Sequence, residues 1–431
     1  MLKNEAKIKK ILILIFFSFS FLFAYDTLWF RLGDAGFSRG VEIDPFGNII
    51  VCGERNFNVL LLIKYSPSGE IIWSRIIHHD EDLLSLPSLA VDKEGNIIMV
   101  AGYFRYPPGE FWGYIVKCDN EGNILWFREF TINRWCWFRS VVCDDSNNIF
   151  LAGVYGEGED DNIVLIKYSP NGDLVWTKRY DFGGLQEEMT ALIQDKEGNI
   201  IGVGETGDGE IFDLLTVKFD KNGDTIWVSR IDFQPEDWGK DVAIDSSNNI
   251  YVCGDVYVWG SVVDTLYSFV VKYNQNGDTL WTRFYKNHGS SAISVDKLGN
   301  VLVAGFTKEN GIYYTLLIKY SPFGDTIFSQ LFNFSPDSGM WPDDMALVND
   351  SNYIYITGTF HSGRNYNIYL MKLLYQPAIK EEVSYKVLFT SEKKAKEFYD
   401  ITGKRLKDLR RIKKGVYFFK DKYFKKVIIL N

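Results

Sequence analysis

Residue types used in catalysis occur in this chain, but the sequence lacks the spacings that would assemble them into a known catalytic site. It holds no Gly-rich phosphate loop after a strand, no His-Glu-x-x-His motif, no Gly-x-Ser-x-Gly turn and no Cys/His cluster at zinc spacing. The sequence therefore favours binding over catalysis.

Tryptophan and histidine residues stand on or beside irregular connections between the regular segments. Tryptophan is costly to leave in water, so a group of such rings on one face is typical of a surface that recognises sugars or protein. The alternative is that these rings fold back and cap the sheets. The candidate binding residues are Trp112, Trp135, Trp137, Trp238, Trp259, Trp341, His78, His79 and His361.

Metal binding is a weaker hypothesis than recognition of sugars or protein. The acidic stretches 156–162 and 207–213 offer oxygen ligands for Ca²⁺, but they lack the regular ligand ladder of an EF-hand loop, and solvated loops are the alternative. His78, His79 and His361 could meet across neighbouring units and hold a metal, although scattered loop histidines are more often exposed. We expect no cofactor, with Ca²⁺ left open.

The elements that must position these residues come from a repeat. The stretch LIKYSPSGEIIWSR (62–75) returns as LIKYSPNGDLVWTK (165–178) and as LIKYSPFGDTIFSQ (317–330). The unit is about 50 residues long, which favours a propeller, solenoid or array. Each unit reads as four short β-strands, with an Asp-x-x-Gly-Asn type of turn after the first, a Lys at the end of the third and usually a Trp in the fourth.

The two ends of the repeat do not match. Seven such turns occur, but no Trp strand follows the third strand at 367–374, whereas the chain begins with a lone Trp strand, 26–31. A ring closes by pairing these two segments, whereas a linear solenoid would leave both of them unpaired. The sequence therefore predicts an all-β, seven-bladed β-propeller, residues 25–377, closed by an N-terminal strand near Trp29 and Lys372.

This arrangement assigns the connections to two faces. The turns after the first and third strands are short and lie on one face, whereas the long connections that carry the candidate binding residues lie on the other. The recurrent third-strand Lys, for example Lys64, ends on the short-turn face beside the turn Asp, and we interpret it as the partner of a structural ion pair.

The repeat resembles the secreted bacterial seven-bladed β-propeller repeat over residues 26–375, through its Asp-x-x-Gly-Asn turns, third-strand Lys-Tyr and Trp-Ser segments. The resemblance implies a propeller fold and an extracytoplasmic location. It implies no activity, because propellers host many.

The first 24 residues have a basic start, an apolar run from Ile11 to Phe23 and a small residue, Ala24. This pattern predicts a signal peptide, 1–24, since the run is too short for a spanning helix.

Residues 25–378 carry 27 basic and 48 acidic residues, which argues against nucleic acid as a partner. The five cysteines form no disulfide framework and read as buried apolar residues, with a Cys136–Cys143 bridge left open.

The basic segment 378–431 reads as a separate small β module. Its stretches 399–406, 414–418 and 425–429 resemble the C-terminal sorting domain of proteins exported by the type IX secretion system. An immunoglobulin-like accessory module is the alternative. The resemblance implies that the secretion machinery is a partner.

Together these features predict a monomeric, secreted or cell-surface binding or adhesion scaffold that recognises glycan or protein through its long-loop face and does not span a membrane. The alternative is a polysaccharide-acting lyase or hydrolase. Carboxylates that converge near the axis would favour the alternative, and an aromatic patch would favour binding.

Overall fold

A computed structural model describes residues 26–374, apart from 56–58, 80–82, 106–108, 134, 158–159, 234–235, 259–264, 335–337, 349–352 and 364, together with 398–400, 405–406, 415–420 and 424–429. The predicted signal peptide and Trp259 lie outside these residues. The chain divides into two compact units, Met1–Tyr375 and Gln376–Asn431.

The described part of the first unit contains 28 strands, which pair antiparallel in groups of four. The N-terminal strand is β1 (Asp26–Ala35). The next groups are β2 (Phe37–Ile43), β3 (Ile49–Arg55), β4 (Val59–Tyr65), β5 (Ile71–His79), then β6 (Leu83–Val91), β7 (Ile97–Arg105), β8 (Glu110–Cys118), β9 (Ile124–Phe130). They are followed by β10 (Cys136–Cys143), β11 (Ile149–Glu157), β12 (Asp160–Tyr168), β13 (Leu174–Tyr180), then β14 (Gln186–Gln194), β15 (Ile200–Gly207), β16 (Phe212–Phe219), β17 (Thr225–Ile231).

The remaining strands of the first unit are β18 (Glu236–Ile244), β19 (Ile250–Val258), β20 (Thr265–Tyr273), β21 (Thr279–Lys286), then β22 (His288–Val295), β23 (Val301–Glu309), β24 (Ile312–Tyr320), β25 (Thr326–Phe332). The last three are β26 (Gly339–Val348), β27 (Tyr353–Ser362) and β28 (Asn365–Leu374). Single parallel bridges, Asp161 to Gln186 and Phe212 to Glu236, link three of the groups into one continuous sheet.

The turns fold as their residue types predict. Asp44 accepts hydrogen bonds from the backbone N–H groups of Phe46 (3.0 Å) and Asn48 (2.8 Å), and the Asn48 amide donates to its other oxygen. Gly47 adopts a left-handed φ of 84°, which a side chain would disfavour. The same Asp pattern recurs in the other units, so the repeat in the sequence is a repeat of one hairpin geometry.

The N-terminal strand completes the last sheet. β1 pairs antiparallel with β28, with Trp29 opposite Lys372, so the predicted pairing is observed. The first strands of successive groups contact one another in order from β2 to β26, and β26 contacts β2. Side chains of the first and last sheets, among them Val41, Ile63, Ile368 and Leu370, share one buried cluster with Trp29 packed against it.

The hydrophobic core lies between neighbouring sheets. Ile50 and Leu62 of one sheet share a buried cluster with Ile97 and Met99 of the next, and equivalent clusters follow along the chain. Neighbouring sheets are therefore held face to face by apolar burial, which is the dominant favourable term in folding.

The predicted structural role of the third-strand lysine is confirmed. Lys117 Nζ lies 2.8 Å from Asp92 Oδ2, and both side chains are almost fully buried. The same Nζ donates to the backbone carbonyl of Pro170 in the next sheet, as does the indole N–H of Trp126. Although burial raises the pKa of Asp92, hydrogen bonds from Lys117 and Asn96 outweigh it and hold the pKa below its usual range. Equivalent contacts recur at Lys64, Lys218 and Lys319.

Replacing Lys117 with Met should destabilise the protein by about 3 kcal/mol, because the Asp92 carboxylate would stay buried without its cation. The matched control is Lys93→Met, which removes an exposed ion pair with Asp145 in the same region and should cost less than about 1 kcal/mol. Denaturant unfolding of both variants measures the difference. Equal losses would contradict a specific role for the buried pair.

The second unit contains a small four-stranded antiparallel sheet in the order β30-β29-β31-β32, formed by β29 (Phe398–Asp400), β30 (Arg405–Leu406), β31 (Gly415–Lys420) and β32 (Phe424–Ile429). These strands overlap the stretches 399–406, 414–418 and 425–429 named in the sequence analysis.

All five cysteines are free, and only Cys143 is not fully buried. Cys136 and Cys143 stand at opposite ends of β10, about 23 Å apart at the usual strand rise, which is too far for a disulfide. Among the residues described, no helix combines the length and apolarity needed to cross a bilayer.

Candidate functional site

A cavity of about 1030 Å³ runs along the axis of the first unit and is walled by the first strand of every group, β2, β6, β10, β14, β18, β22 and β26. We call it the axial cavity. Each of these strands carries a β-bulge near its start. A bulge turns a side chain out of the alternating pattern and often lies beside functional sites. Here Arg39, Arg139 and Lys240 stand at the bulges and line the axial cavity.

Carboxyl groups face these cations. Glu188 receives two hydrogen bonds from the Arg139 guanidinium, with Nη2 3.3 Å from Oε2. Glu205 lies on the neighbouring strand directly opposite Glu188. Asp343 stands at the bulge of β26. Trp238 also lines the axial cavity, with Lys240 Nζ 5.4 Å from its ring centroid.

The surroundings raise the pKa values of several cavity carboxyls. Burial, followed by the Glu188 charge, raises the pKa of Glu205 to about 7. Burial raises the pKa of Asp343 to about 7, with Arg39 opposing the rise. Glu42 is accessible from the cavity but enclosed by protein, and burial together with the Asp344 charge raises its pKa to about 8. Near neutral pH the cavity therefore holds proton donors beside ionised groups.

Two of the deeper carboxyls have structural partners. Asp344 Oδ2 accepts the Val41 N–H at 2.8 Å, and Asp241 Oδ2 accepts the Ile293 N–H at 2.8 Å. Each bond joins one sheet to its neighbour. Burial raises both pKa values above their usual range. We interpret these two residues as inter-sheet links that also line the axial cavity.

Four of the predicted binding residues, Trp135, Trp137, Trp341 and His361, lie in two aromatic clusters beside the long connections. The Trp135 cluster comprises Phe104, Phe111, Trp135 and Trp137, with ring centroids of Phe111 and Trp135 4.4 Å apart. The Trp341 cluster comprises Phe37, Tyr313, Trp341, His361 and Tyr366, with Trp341 5.4 Å from Tyr313 and 6.4 Å from His361.

These rings are partly buried and partly open. Trp135 and Tyr366 are each 38% exposed, so a face of each cluster reaches solvent. Trp112 is different, because it packs against the core and its indole N–H donates to Glu110. Trp112, Trp137, Trp238 and Trp341 lie inside strands, since the hairpins extend farther than the sequence predicts. His78 and His79 end β5, and only their backbone is described.

The acidic stretch 207–213 supplies Asp213 to a group of carboxylates with Asp232 and Asp237, whose oxygen atoms lie within 4.8 Å of one another. Arg230 already pairs with Asp213, and the Phe233 N–H donates to Asp237. Of the stretch 156–162, residues 158–159 lie outside the described residues.

The sequence did not point to the axial cavity, although a signal was present. An acidic residue follows the second-strand glycine in Cys-Gly-Glu54, Val-Gly-Glu205 and Cys-Gly-Asp255. Asp255 is buried and accepts hydrogen bonds from the N–H and hydroxyl of Ser290. Of these three carboxyls, Glu205 lines the axial cavity.

The protein is similar in fold to known propellers. No family model matches the chain. The solved structure of polysaccharide lyase Uly1 is 12% identical and superposes with a TM-score of 0.51, covering 80% of this chain and 91% of that one. The Dos1 propeller is 10% identical, with a TM-score of 0.48 and coverage of 80% and 94%. At these identities the likeness shows only a β-propeller fold.

One sequence relative is the uncharacterized WD repeat-containing protein L264 of Acanthamoeba polyphaga mimivirus. It is 22% identical over an alignment of 211 positions, which covers 44% of this chain. The match spans 14% of that protein's length, so it carries no inference about activity.

Proposed function

We propose that this protein is a secreted or cell-surface, seven-bladed β-propeller that binds glycan through the face carrying its long connections. The observation that carries the proposal is the location of two partly open aromatic clusters on the face where the charged axial cavity begins. Sugars stack on exposed aromatic rings and offer hydroxyl groups to charged side chains. Both kinds of group occur here.

The blade number and the location rest on separate observations. Closure of the last sheet by β1 and the cyclic contacts of the first strands support seven blades. The leader pattern in residues 1–24 and the resemblance of the C-terminal module to a type IX sorting domain support export. We propose a monomer that needs no cofactor and reaches the cell exterior through that secretion machinery.

A protein ligand is the less favoured occupant of this face. The axial cavity favours a glycan over a protein ligand. Its mixture of Arg, Lys, Glu and Trp side chains suits a chain of hydroxylated rings better than a broad protein surface. A polysaccharide-acting enzyme is the second candidate function. It is favoured by the carboxyl groups that converge on the axial cavity.

The test is a glycan array probed with the purified protein and two variants, Trp135→Ala and Trp341→Ala. We expect the wild type to bind a defined set of glycans and each variant to lose at least about tenfold in affinity, because central aromatic contacts usually carry 1–2 kcal/mol or more.

The matched control is Phe323→Ala, which removes a ring that is 78% exposed in a short turn on the opposite face. It should bind like the wild type. Melting curves establish that all variants are folded. A wild type that binds no glycan, or three variants with equal affinity, would refute the proposal.

A further inference from the structure

Two carboxyl side chains of the axial cavity stand side by side. Glu188 on β14 and Glu205 on β15 are directly opposite in an antiparallel ladder, and both line the axial cavity. Directly opposed residues have Cβ atoms about 5 Å apart, so the two carboxyl groups can reach one bound molecule together.

The two carboxyls have different surroundings. Arg139, on β10, donates two hydrogen bonds to Glu188 and thereby orients its carboxyl group. Glu205 instead has a pKa raised to about 7 by burial and by the charge of Glu188, while Lys240 and Arg139 limit the rise. A carboxyl with a raised pKa, placed beside a second carboxyl that a guanidinium orients, is the usual pattern of an acid and its partner.

Three of the other carboxyls that line the axial cavity have structural partners. Asp241 and Asp344 accept backbone N–H groups of the next sheet, and Asp343 accepts a hydrogen bond from the Thr359 hydroxyl at 3.0 Å. These bonds fix the carboxyls as structural groups. Glu188 and Glu205, in contrast, share the cavity wall with the cation Lys240 and the ring of Trp238, which would hold a sugar against them.

We propose that Glu188 and Glu205 hydrolyse a glycosidic bond in the axial cavity, with Glu188 as nucleophile and Glu205 as acid and then base. The inference rests on the proposed function, because it requires a glycan to enter the cavity. Closely spaced carboxyls leave no room for a water molecule between them and the sugar, which favours a reaction that retains the anomeric configuration.

The reaction has two steps. First, Glu205 gives its proton to the glycosidic oxygen while the bond from that oxygen to the anomeric carbon breaks and Glu188 forms an ester with the carbon. Second, Glu205, now ionised, takes a proton from water, whose oxygen bonds to the anomeric carbon as the ester bond breaks. One water is consumed, and both carboxyls return to their starting states.

The experiment uses the full-length protein and the variants Glu205→Gln and Glu188→Gln. The matched control is Glu121→Gln, which changes an exposed carboxyl in a short turn. Each protein is incubated with the glycans it binds on the array, and new reducing ends are measured. Nitrophenyl and dinitrophenyl glycosides of the terminal sugars are tested in parallel.

We expect the wild type and Glu121→Gln to cleave and Glu188→Gln to lose activity on every substrate. Glu205→Gln should lose about 10²–10⁴-fold on the glycans but still release dinitrophenol, which needs no protonation to leave. A deoxyfluoro dinitrophenyl glycoside should label the wild type on the peptide that contains Glu188. This measurement does not depend on the folding of any variant.

Three results would overturn the inference: a wild type that binds glycans but produces no reducing ends, a label on another residue, or full activity on the glycans in either glutamine variant. The first of these leaves the proposed binding function intact. A wild type that binds no glycan removes the proposed function itself, so the two failures are distinguishable.

Discussion

Deleting residues 25–32 should lower the melting temperature by about 10 °C or more, whereas deleting residues 379–431 should leave the main transition nearly unchanged. The first deletion removes most of the ladder between β1 and β28, in which each hydrogen bond contributes about 1 kcal/mol. It also removes Phe30, whose ring lies 4.3 Å from Phe334 and 5.8 Å from Tyr369. Together these losses reach several kcal/mol, a large part of the stability of a typical domain.

The junction contains more than the ladder. Arg31 donates to the carbonyl of Gly69 at 3.0 Å, and Lys372 donates to the carbonyl of Pro67 at 3.0 Å. The last sheet is therefore hydrogen-bonded to the turn between the third and fourth strands of the first sheet. Arg128 and Arg283 make equivalent bonds between other neighbouring sheets. Closure therefore uses a contact that also joins two other pairs of neighbouring groups.

The measurement is a thermal melt of both deletions against the chain that begins at Tyr25. A peptide of residues 25–36, added in trans to the shorter chain, should raise its melting temperature because it can occupy the vacant edge beside β28. A similar melting temperature for both deletions, with no effect of the peptide, would contradict closure by β1.

Much of this architecture is readable in the sequence because it depends on local chemistry. The Asp-x-x-Gly-Asn turns specify hairpins through hydrogen bonds that stay within five residues. Asp44, for example, accepts hydrogen bonds from the N–H groups of Phe46 and Asn48 and from the Asn48 side chain. The strand around Trp29 belongs to no complete unit, and the last unit, which contains Lys372, lacks a fourth strand. Counting the strands of each unit therefore predicts that these two segments pair. The ion pair between Lys117 and Asp92 follows from two recurrent residues that end on one face.

The axial cavity is less readable because bulges decide which side chains face it. In a regular strand, Arg139 would alternate with its neighbours, but the register shift between Phe138 and Ser140 changes its direction. Sequence alternation cannot place an extra residue of this kind. The pairing of Glu188 with Arg139 also joins two sheets, so neither sheet's local pattern predicts it.

The aromatic residues show a similar limit. The sequence assigns Trp238 and Trp341 to one face, but it does not distinguish a ring that packs against neighbours from one that lines a cavity. Trp238 lines the axial cavity and Trp341 packs beside Tyr313. Hairpins that extend farther than predicted bring both rings into strands, where sheet neighbours fix their direction.

Replacing Gly204 with Ala should destabilise the protein by about 4 kcal/mol, a loss large enough to be diagnostic. A Cβ on Gly204 would overlap the carbonyl oxygen of Glu188, and backbone cannot move aside as a flexible side chain can. Gly153, Gly254 and Gly358 meet a carbonyl in the same way at the equivalent positions of their sheets. This close approach explains why the second strand of each unit carries glycine beside the bulge.

The matched control is Gly311→Ala. Gly311 has a left-handed φ of 84° but no atom within 4 Å of a new Cβ, so this variant carries only backbone strain of about 1–2 kcal/mol. Denaturant unfolding separates the two effects. A loss in Gly204→Ala no larger than in Gly311→Ala would contradict the close packing of β14 on β15.

The Gly204→Ala variant also tests whether the packing of β14 on β15 is needed for the proposed cleavage. Separation of β14 from β15 at Gly204 moves Glu188 away from Arg139 and changes its distance from Glu205, the next residue along β15. Material that remains folded at low temperature should therefore bind glycan at the Trp341 cluster while losing cleavage, because that cluster belongs to other sheets. Loss of both activities together would mean that the aromatic face depends on the geometry of the axial cavity.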